Sequence, residues 1–153
     1  MNVFKEIQTF NEVAGFLQER RPLDDETVVF QMSLIDEEYE ELAKAFQEND
    51  ETEVLDALSD LIVVAAGAMH RMGVNPQEAM EIVCTSNNSK FCYTEEEARK
   101  SVEAYREDER YLDVHSQYIG DRYVIFGRKG ENEPFKILKG INSHKPNFNK
   151  LLK

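Results

Sequence analysis

The first ninety residues repeat apolar positions at intervals of three and four, which is the period of an α-helix. This pattern predicts a first helix over residues 2–20 and a second over residues 26–48. Asp50 favours the start of a third helix that runs to about Met72. Asn75-Pro76 favours a fourth helix, through about Asn87. The pattern therefore predicts a mainly α fold.

The character of the chain changes after residue 90. A short charged helix without a distinct apolar face is predicted over residues 94–109, followed by extended sequence over residues 111–139. Within that stretch Gly120-Asp121 separates two apolar runs and is typical of a hairpin turn. We therefore predict an all-α catalytic core over residues 1–90. Residues 91–153 add the charged helix, a β-hairpin insertion and a C-terminal tail of the same domain.

The predicted second and third helices carry more apolar surface than one small chain covers. The second helix has an apolar stripe with the alternating spacing of a helix-bundle seam, formed by Val28, Met32, Ile35, Tyr39, Leu42 and Phe46. The third helix is apolar on all sides from Leu61 to Met69, so both of its sides should be covered. We expect a partner subunit, in a homodimer or a dimer of dimers.

The overall composition limits the classes of partner. A net charge of −12 argues against nucleic acid, whose phosphates need a basic surface, although metal ions could bridge carboxylates to a nucleotide. The uncharged run Leu61–Met69 is too short to cross a membrane, and no signal peptide is visible. Cys84 and Cys92 lack metal-site spacing, so we expect reduced thiols in a cytoplasmic protein.

Two clusters of carboxylates are the main chemical feature of the sequence. The first is Glu37-Glu38-Tyr39-Glu40-Glu41, and the second comprises Glu53, Asp56 and Asp60. Two antiparallel helices would bring up to five carboxylates together, where like charges repel unless cations compensate them. Oxygen ligands suit hard cations, so the sequence predicts a site for Mg²⁺, with Mn²⁺ as an alternative.

Helical geometry separates the members of these clusters. At about 100° per residue, Glu38 and Glu41 fall together beside the apolar seam, and Glu37 lies close to Glu41 but farther from the seam. Glu53, Asp56 and Asp60 span only about 60° of their helix and share one face. Asp60 stands where the all-apolar stretch begins, so we expect a buried carboxylate that needs a partner.

The order and spacing of these residues resemble a known enzyme group. Glu38-x-x-Glu41 followed by Glu53-x-x-Asp56 resembles the metal-binding signature of the MazG-like all-α nucleoside triphosphate pyrophosphohydrolases. That group is similar to dimeric dUTPases and phosphoribosyl-ATP pyrophosphohydrolases. The resemblance extends to Ser86-Asn87-Asn88-Ser89-Lys90 and to the late segment 136–140. It implies an antiparallel four-helix core, into which residues 94–135 would be an insertion.

The resemblance also implies a reaction and residue roles. The reaction is Mg²⁺-dependent cleavage of a nucleoside triphosphate between its α and β phosphates, giving a monophosphate and pyrophosphate. The expected metal ligands are Glu38, Glu41, Glu53, Asp56 and Asp60. For Asp60 there are two alternatives, namely supporting a metal ligand from behind or contacting the nucleotide sugar. Glu37 or Glu38 would activate water. Asn87, Lys90 and Lys139 are expected to bind substrate, with ordinary surface charge as the alternative for both lysines.

Two other readings of the carboxylates compete with this one. A ferritin-like di-metal oxidase needs Glu-x-x-His on two helices, and no Glu in this sequence stands three residues before a His. A non-enzymatic acidic helical adaptor or metal-binding module would use the same carboxylates. It would, however, keep them exposed, which disagrees with the position of Asp60.

Overall fold

The computed structural model describes residues 1–16 and 19–153 and divides them into two compact units. Residues 1–80 and 149–153 form the helical unit, and residues 81–148 form the mixed unit. In the described residues the chain forms five helices and three strands: α1 (Val3–Val13), α2 (Glu26–Glu48), α3 (Glu51–Arg71), α4 (Pro76–Asn88), α5 (Glu95–Arg106), β1 (Leu112–Ile119), β2 (Arg122–Arg128) and β3 (Lys136–Leu138).

The first helix ends earlier than the sequence predicts. Helix α1 stops at Val13, and Gly15 adopts a left-handed φ of +86°, which breaks the helix although the apolar pattern continues. Leu17, which belongs to that pattern, lies outside the described residues.

Helices α2 and α3 form an antiparallel pair with a sharp connection. The Asp25 side chain caps α2 by accepting a hydrogen bond from the Thr27 amide. Asn49 ends α2 in a left-handed conformation. The Asp50 side chain then caps α3 by accepting from the amides of Thr52 and Glu53. A connection of only two residues returns α3 along α2, which confirms this part of the predicted arrangement.

A polar network holds the interior of this helix pair. The Gln31 amide nitrogen donates to the Val64 carbonyl at 3.1 Å, and Arg71 Nε donates to the Gln31 oxygen at 2.7 Å. Gln31 and Arg71 are both buried. The Arg71 guanidinium also lies 3.6 Å from the centroid of the Phe16 ring. Gly67 leaves the space that Gln31 occupies, since a Cβ atom there would lie 2.9 Å from the glutamine nitrogen.

The outer sides of α2 and α3 expose large apolar side chains. On α2 three positions of the predicted seam are exposed: Met32, Tyr39 and Phe46. On α3 the exposed positions are Leu55, Leu58 and Ile62. We call these six residues the apolar stripe. On each helix, the three apolar side chains point about 100° or more away from the carboxylates of that helix. The described part of the chain thus leaves open a surface that the sequence predicts to be covered.

The mixed unit consists of α5 packed on an antiparallel sheet of order β1-β2-β3. The predicted hairpin is present, because Ile119 pairs with Arg122 across the turn at Gly120-Asp121. Helix α5 was expected to lack an apolar face, and this expectation is wrong. Its small side chains are buried against the sheet, in a core that comprises Cys92, Ala98, Val102, Val114, Ile125 and Leu138.

Other sequence expectations can be compared directly with the structure. Cys84 and Cys92 are both free cysteines, the first exposed and the second buried. The mainly helical fold and the small C-terminal sheet are confirmed. An antiparallel four-helix core remains a prediction. Among the described residues, no helix combines the length and apolarity needed to span a membrane.

Candidate active site

Glu38 is the central residue of the carboxylate clusters. It lies on α2 toward α3, and its Oε2 atom is buried without a hydrogen-bond partner among the described residues. Burial raises the pKa of Glu38 above its ordinary value of 4.5, and Asp60, Glu41, Glu37 and Asp56 raise it further in that order. These effects show that α2 and α3 bring both clusters into one electrostatic environment.

An open cleft of about 380 Å³ lies between α2 and α3 in the helical unit. Glu41 lines it from α2, and Glu53 and Asp56 line it from α3. The floor includes the small residues Ala45 and Ala57, both buried, so the two helix backbones approach closely there. The cleft is thus an acidic groove between the helices.

Two residues that line the cleft were not identified from the sequence. Lys44 and Glu48 both line it from α2, and Lys44 is the only base among the described lining residues. Lys44 follows Glu41 by three positions, a spacing that places both side chains on the same helix face. No ion pair joins Lys44 to an acidic group in the described part of the chain.

Asp60 is less buried than the sequence predicts. Asp60 is half-buried, whereas the oxygen that lies buried without a partner belongs to Glu38. Glu37, Glu41, Glu53 and Asp56 are exposed, and the last three of them line the cleft. A helical wheel places Glu38 and Glu41 together and does not distinguish them, whereas in the structure Glu41 is exposed and one Glu38 oxygen is buried.

The donor chemistry of this cluster fits a hard divalent cation. All its members are carboxylates, and the buried Glu38 oxygen has no donor to satisfy it in the described residues. In the conformation shown, however, no three His, Cys, Asp or Glu side chains of the described residues converge closely enough to hold an ion. Five like charges repel one another. Rotation of exposed carboxylates toward Glu38 would therefore be needed to form a ligand set.

The predicted substrate-binding residues belong to the mixed unit. Lys90 Nζ donates to the Asn87 side-chain oxygen at 2.8 Å. Lys139 is exposed, and the next residue, Gly140, donates its amide hydrogen to the Lys90 carbonyl at 2.8 Å. The structure thus brings Asn87, Lys90 and the segment 139–140 together.

Charge is distributed unevenly between the two units. The helical unit contains 18 acidic and seven basic residues, whereas the mixed unit contains 12 acidic and 11 basic residues. Nearly all of the net charge of −12 therefore belongs to the unit that carries the carboxylate cleft. An anionic substrate would approach this unit only with cations in place.

Comparison with known proteins gives a family match for the part of the chain that contains α2 and α3. No curated protein and no solved structure matches the chain. Residues 17–87 match the family model of phosphoribosyl-ATP pyrophosphohydrolase, a family of pyrophosphohydrolases that act on nucleotide-like substrates. The matched segment contains α2 and α3 in full and with them both carboxylate clusters. This match confirms the predicted resemblance and places residues 17–87 in the MazG-like all-α nucleoside triphosphate pyrophosphohydrolase superfamily.

Proposed function

We propose that this protein is a Mg²⁺-dependent pyrophosphohydrolase that cleaves a nucleoside or deoxynucleoside triphosphate between its α and β phosphates. One observation carries the proposal. Within the segment that matches the family model, Glu41 on α2 lines the same cleft as Glu53 and Asp56 on α3. Carboxylates of both helices also raise the pKa of Glu38. Ordinary surface glutamates would not leave a buried carboxylate oxygen at the centre of such a cluster.

The proposed metal site uses residues from both helices. Glu38 and Glu41 on α2, with Glu53 and Asp56 on α3, would hold the Mg²⁺ ions, and Asp60 would be a fifth ligand or support one. When bound, Mg²⁺ offsets the negative charge of the phosphates and lowers the pKa of a bound water. Mn²⁺ has the same preference for oxygen ligands and would substitute.

The proton chemistry would be carried by the carboxylates that remain at the rim. Glu37 is exposed and raises the pKa of Glu38, which supports its proposed role as the base that accepts a proton from the attacking water. The water oxygen forms a bond to phosphorus as the bond to the bridging oxygen breaks. Pyrophosphate leaves with the electron pair of that bond. Glu38 is the second choice for the base.

Lysine side chains would bind the phosphates as point charges. Lys44 lines the cleft itself, and Lys90 and Lys139 are further candidates in the mixed unit. Asn87 would contact the base or the sugar. The apolar stripe would be covered by a second copy of the chain, giving a homodimer, because six large apolar side chains form an exposed surface typical of an interface.

A second substrate is favoured by the family match. The matching model is that of phosphoribosyl-ATP pyrophosphohydrolase, so phosphoribosyl-ATP is the alternative to a simple triphosphate. Both carry the same phosphoanhydride bond and would need the same carboxylates. The acidic adaptor is less well supported, because a docking surface does not require the Glu38 oxygen to be buried.

The test measures pyrophosphate release from a panel of NTPs, dNTPs and phosphoribosyl-ATP in Mg²⁺ and in Mn²⁺. The variant Glu38→Gln with Asp56→Asn should lose release by at least about 100-fold, since both proposed ligands become neutral. The control variant Glu40→Gln alters an exposed carboxylate of α2 outside the cleft and should retain activity. Release that survives the double substitution would contradict the proposed site. No release from any substrate would contradict the reaction.

A further inference from the structure

Strand β1 forms an open edge of the sheet. The strand order β1-β2-β3 leaves one side of β1 unpaired within the mixed unit. The irregular part of β1 is confined to its start, where Asp113 adopts a φ of +53° and the register shifts before His115. Residues 116–119 pair regularly with β2 and are exposed. One row of their backbone N–H and C=O groups is therefore available to another strand.

This edge lacks the features that usually prevent strand pairing. Proteins protect open edges with charged side chains, proline or bulges. From Val114 to Ile119 the sequence Val-His-Ser-Gln-Tyr-Ile contains no charged residue, no proline and no glycine. The bulge protects only the first residues of the strand. The remaining length is enough for about five residues of a new strand pair.

A groove of about 300 Å³ runs beside the edge, between β1 and α5. His115 and Ser116 line it from the strand. Its helix side carries charges of alternating sign, contributed in chain order by Glu95, Arg99, Glu103 and Arg106. Arg99 and Glu103 also form an exposed ion pair with each other at 2.7 Å within α5, which a second copy would extend into a network. These four side chains form a charged strip along the edge of the mixed unit, in which negative and positive charges alternate.

This strip is complementary to itself under a two-fold axis. Antiparallel pairing of β1 with a second β1 would also place the two α5 helices side by side in opposite directions, because α5 packs on β1 and β2. Glu95 of one copy would then oppose Arg106 of the other, and Arg99 would oppose Glu103. Neighbouring strands lie about 4.8 Å apart, so the two helices over them come within reach of long charged side chains.

We propose that two copies of this chain associate through their β1 edges, forming a continuous six-stranded antiparallel sheet. The occupant is a second copy because the uncharged edge and the complementary charges of the groove fit the same two-fold axis. This interface is separate from the apolar stripe. It does not depend on the proposed enzymatic activity.

Disulfide trapping of the full chain tests the pairing. In a Cys84→Ser background, a Ser116→Cys substitution places a thiol close to the proposed axis, where opposite residues of two antiparallel strands have Cα atoms about 4.5–5.5 Å apart. Mild oxidation should give a covalent dimer, measured on a non-reducing gel. The control, Lys129→Cys, carries an exposed thiol outside β1 and should give little dimer.

Charge substitutions in the same background test the groove. Because of the two-fold axis, Arg99→Glu would place a glutamate opposite Glu103 at two symmetric positions. The repulsion should reduce the dimer yield about fivefold at low salt. Combining Arg99→Glu with Glu103→Arg exchanges the charges and should restore the yield. A yield no higher than that of Lys129→Cys, or one that Arg99→Glu leaves unchanged, would overturn the proposal. Pyrophosphate release, measured on the same protein, reports separately on the proposed function.

Discussion

Asp60 on α3 lies close enough to Glu38 on α2 to raise the pKa of the glutamate. Burial raises the pKa of Glu38 most, and Asp60 raises it more than any other charge does. Glu38 and Asp60 belong to different clusters and are 22 positions apart in the chain, so folding brings the two clusters together. The raised pKa also shows that the helical unit keeps a carboxylate where its ionised form is disfavoured, which is typical of functional sites.

The first prediction concerns the stability of the metal-free protein. A carboxyl group whose pKa is raised on folding binds its proton more tightly in the folded chain, so stability is lost as pH rises through the folded pKa. Glu38→Gln removes this loss and should raise the Tm by about 2 °C at pH 8 in a chelating buffer. Below pH 4.5, the ordinary pKa, the gain should largely vanish. An equal gain at both pH values would contradict the assignment.

The second prediction concerns divalent cations. Mg²⁺ or Mn²⁺ should raise the Tm of the wild-type protein, because a cation that binds the folded state stabilises it by mass action. Asp56→Asn should remove most of this increase, since it deletes a proposed ligand. Glu51→Gln changes an exposed carboxylate of the same helix that does not line the cleft, and it should respond like the wild type. Sodium chloride at matched ionic strength controls for screening.

The third prediction concerns the apolar stripe. Tyr39→Lys places a charge in the proposed interface and should remove one association step in sedimentation velocity experiments. Phe30→Lys is the matched control, because Phe30 is similarly exposed on α2, at 55% against 65% for Tyr39, but lies on the opposite side of the helix. If both variants sediment like the wild type, the stripe is not the interface.

Sequence patterns predicted the helix pair well because its signals are local. The caps at Asp25 and Asp50 and the heptad spacing of α2 require no knowledge of other elements. The burial of Glu38 was not predictable in the same way. It depends on the packing of the whole helical unit around Glu38, which a pattern along one helix does not contain.

Helix α5 is an element whose buried face the sequence pattern did not predict. Its buried face consists of Ala98, Ser101 and Val102, which are too small to produce a conspicuous apolar stripe. The sheet beneath supplies the large side chains of the core, including Ile125 and Leu138. An amphipathic pattern therefore identifies a helix face only when that face contributes large apolar residues itself.

The fourth prediction concerns His70, which is buried at the end of α3. Its side chain is only 1% exposed, and neither ring nitrogen has a partner among the described residues. An unpaired buried polar group is unfavourable, so His70→Leu should increase the free energy of unfolding by about 1 kcal/mol. His70→Asn, which keeps a polar group in the same place, should give no increase. Urea denaturation measures both variants.

The last prediction concerns the hydrogen bond between Arg71 and Gln31. Gln31→Met leaves the buried guanidinium without its acceptor and should cost about 2–3 kcal/mol of unfolding free energy. Arg71→Met alone should also destabilise, because it leaves the glutamine oxygen without this donor and removes the contact with Phe16. The double variant should lose less than the sum of the single losses, since both partners become apolar together. Strictly additive losses in urea denaturation would show that the bond does not couple α2 to α3. Gly67→Ala offers an independent check, because its Cβ would displace the Gln31 side chain and should weaken the same bond without altering either partner.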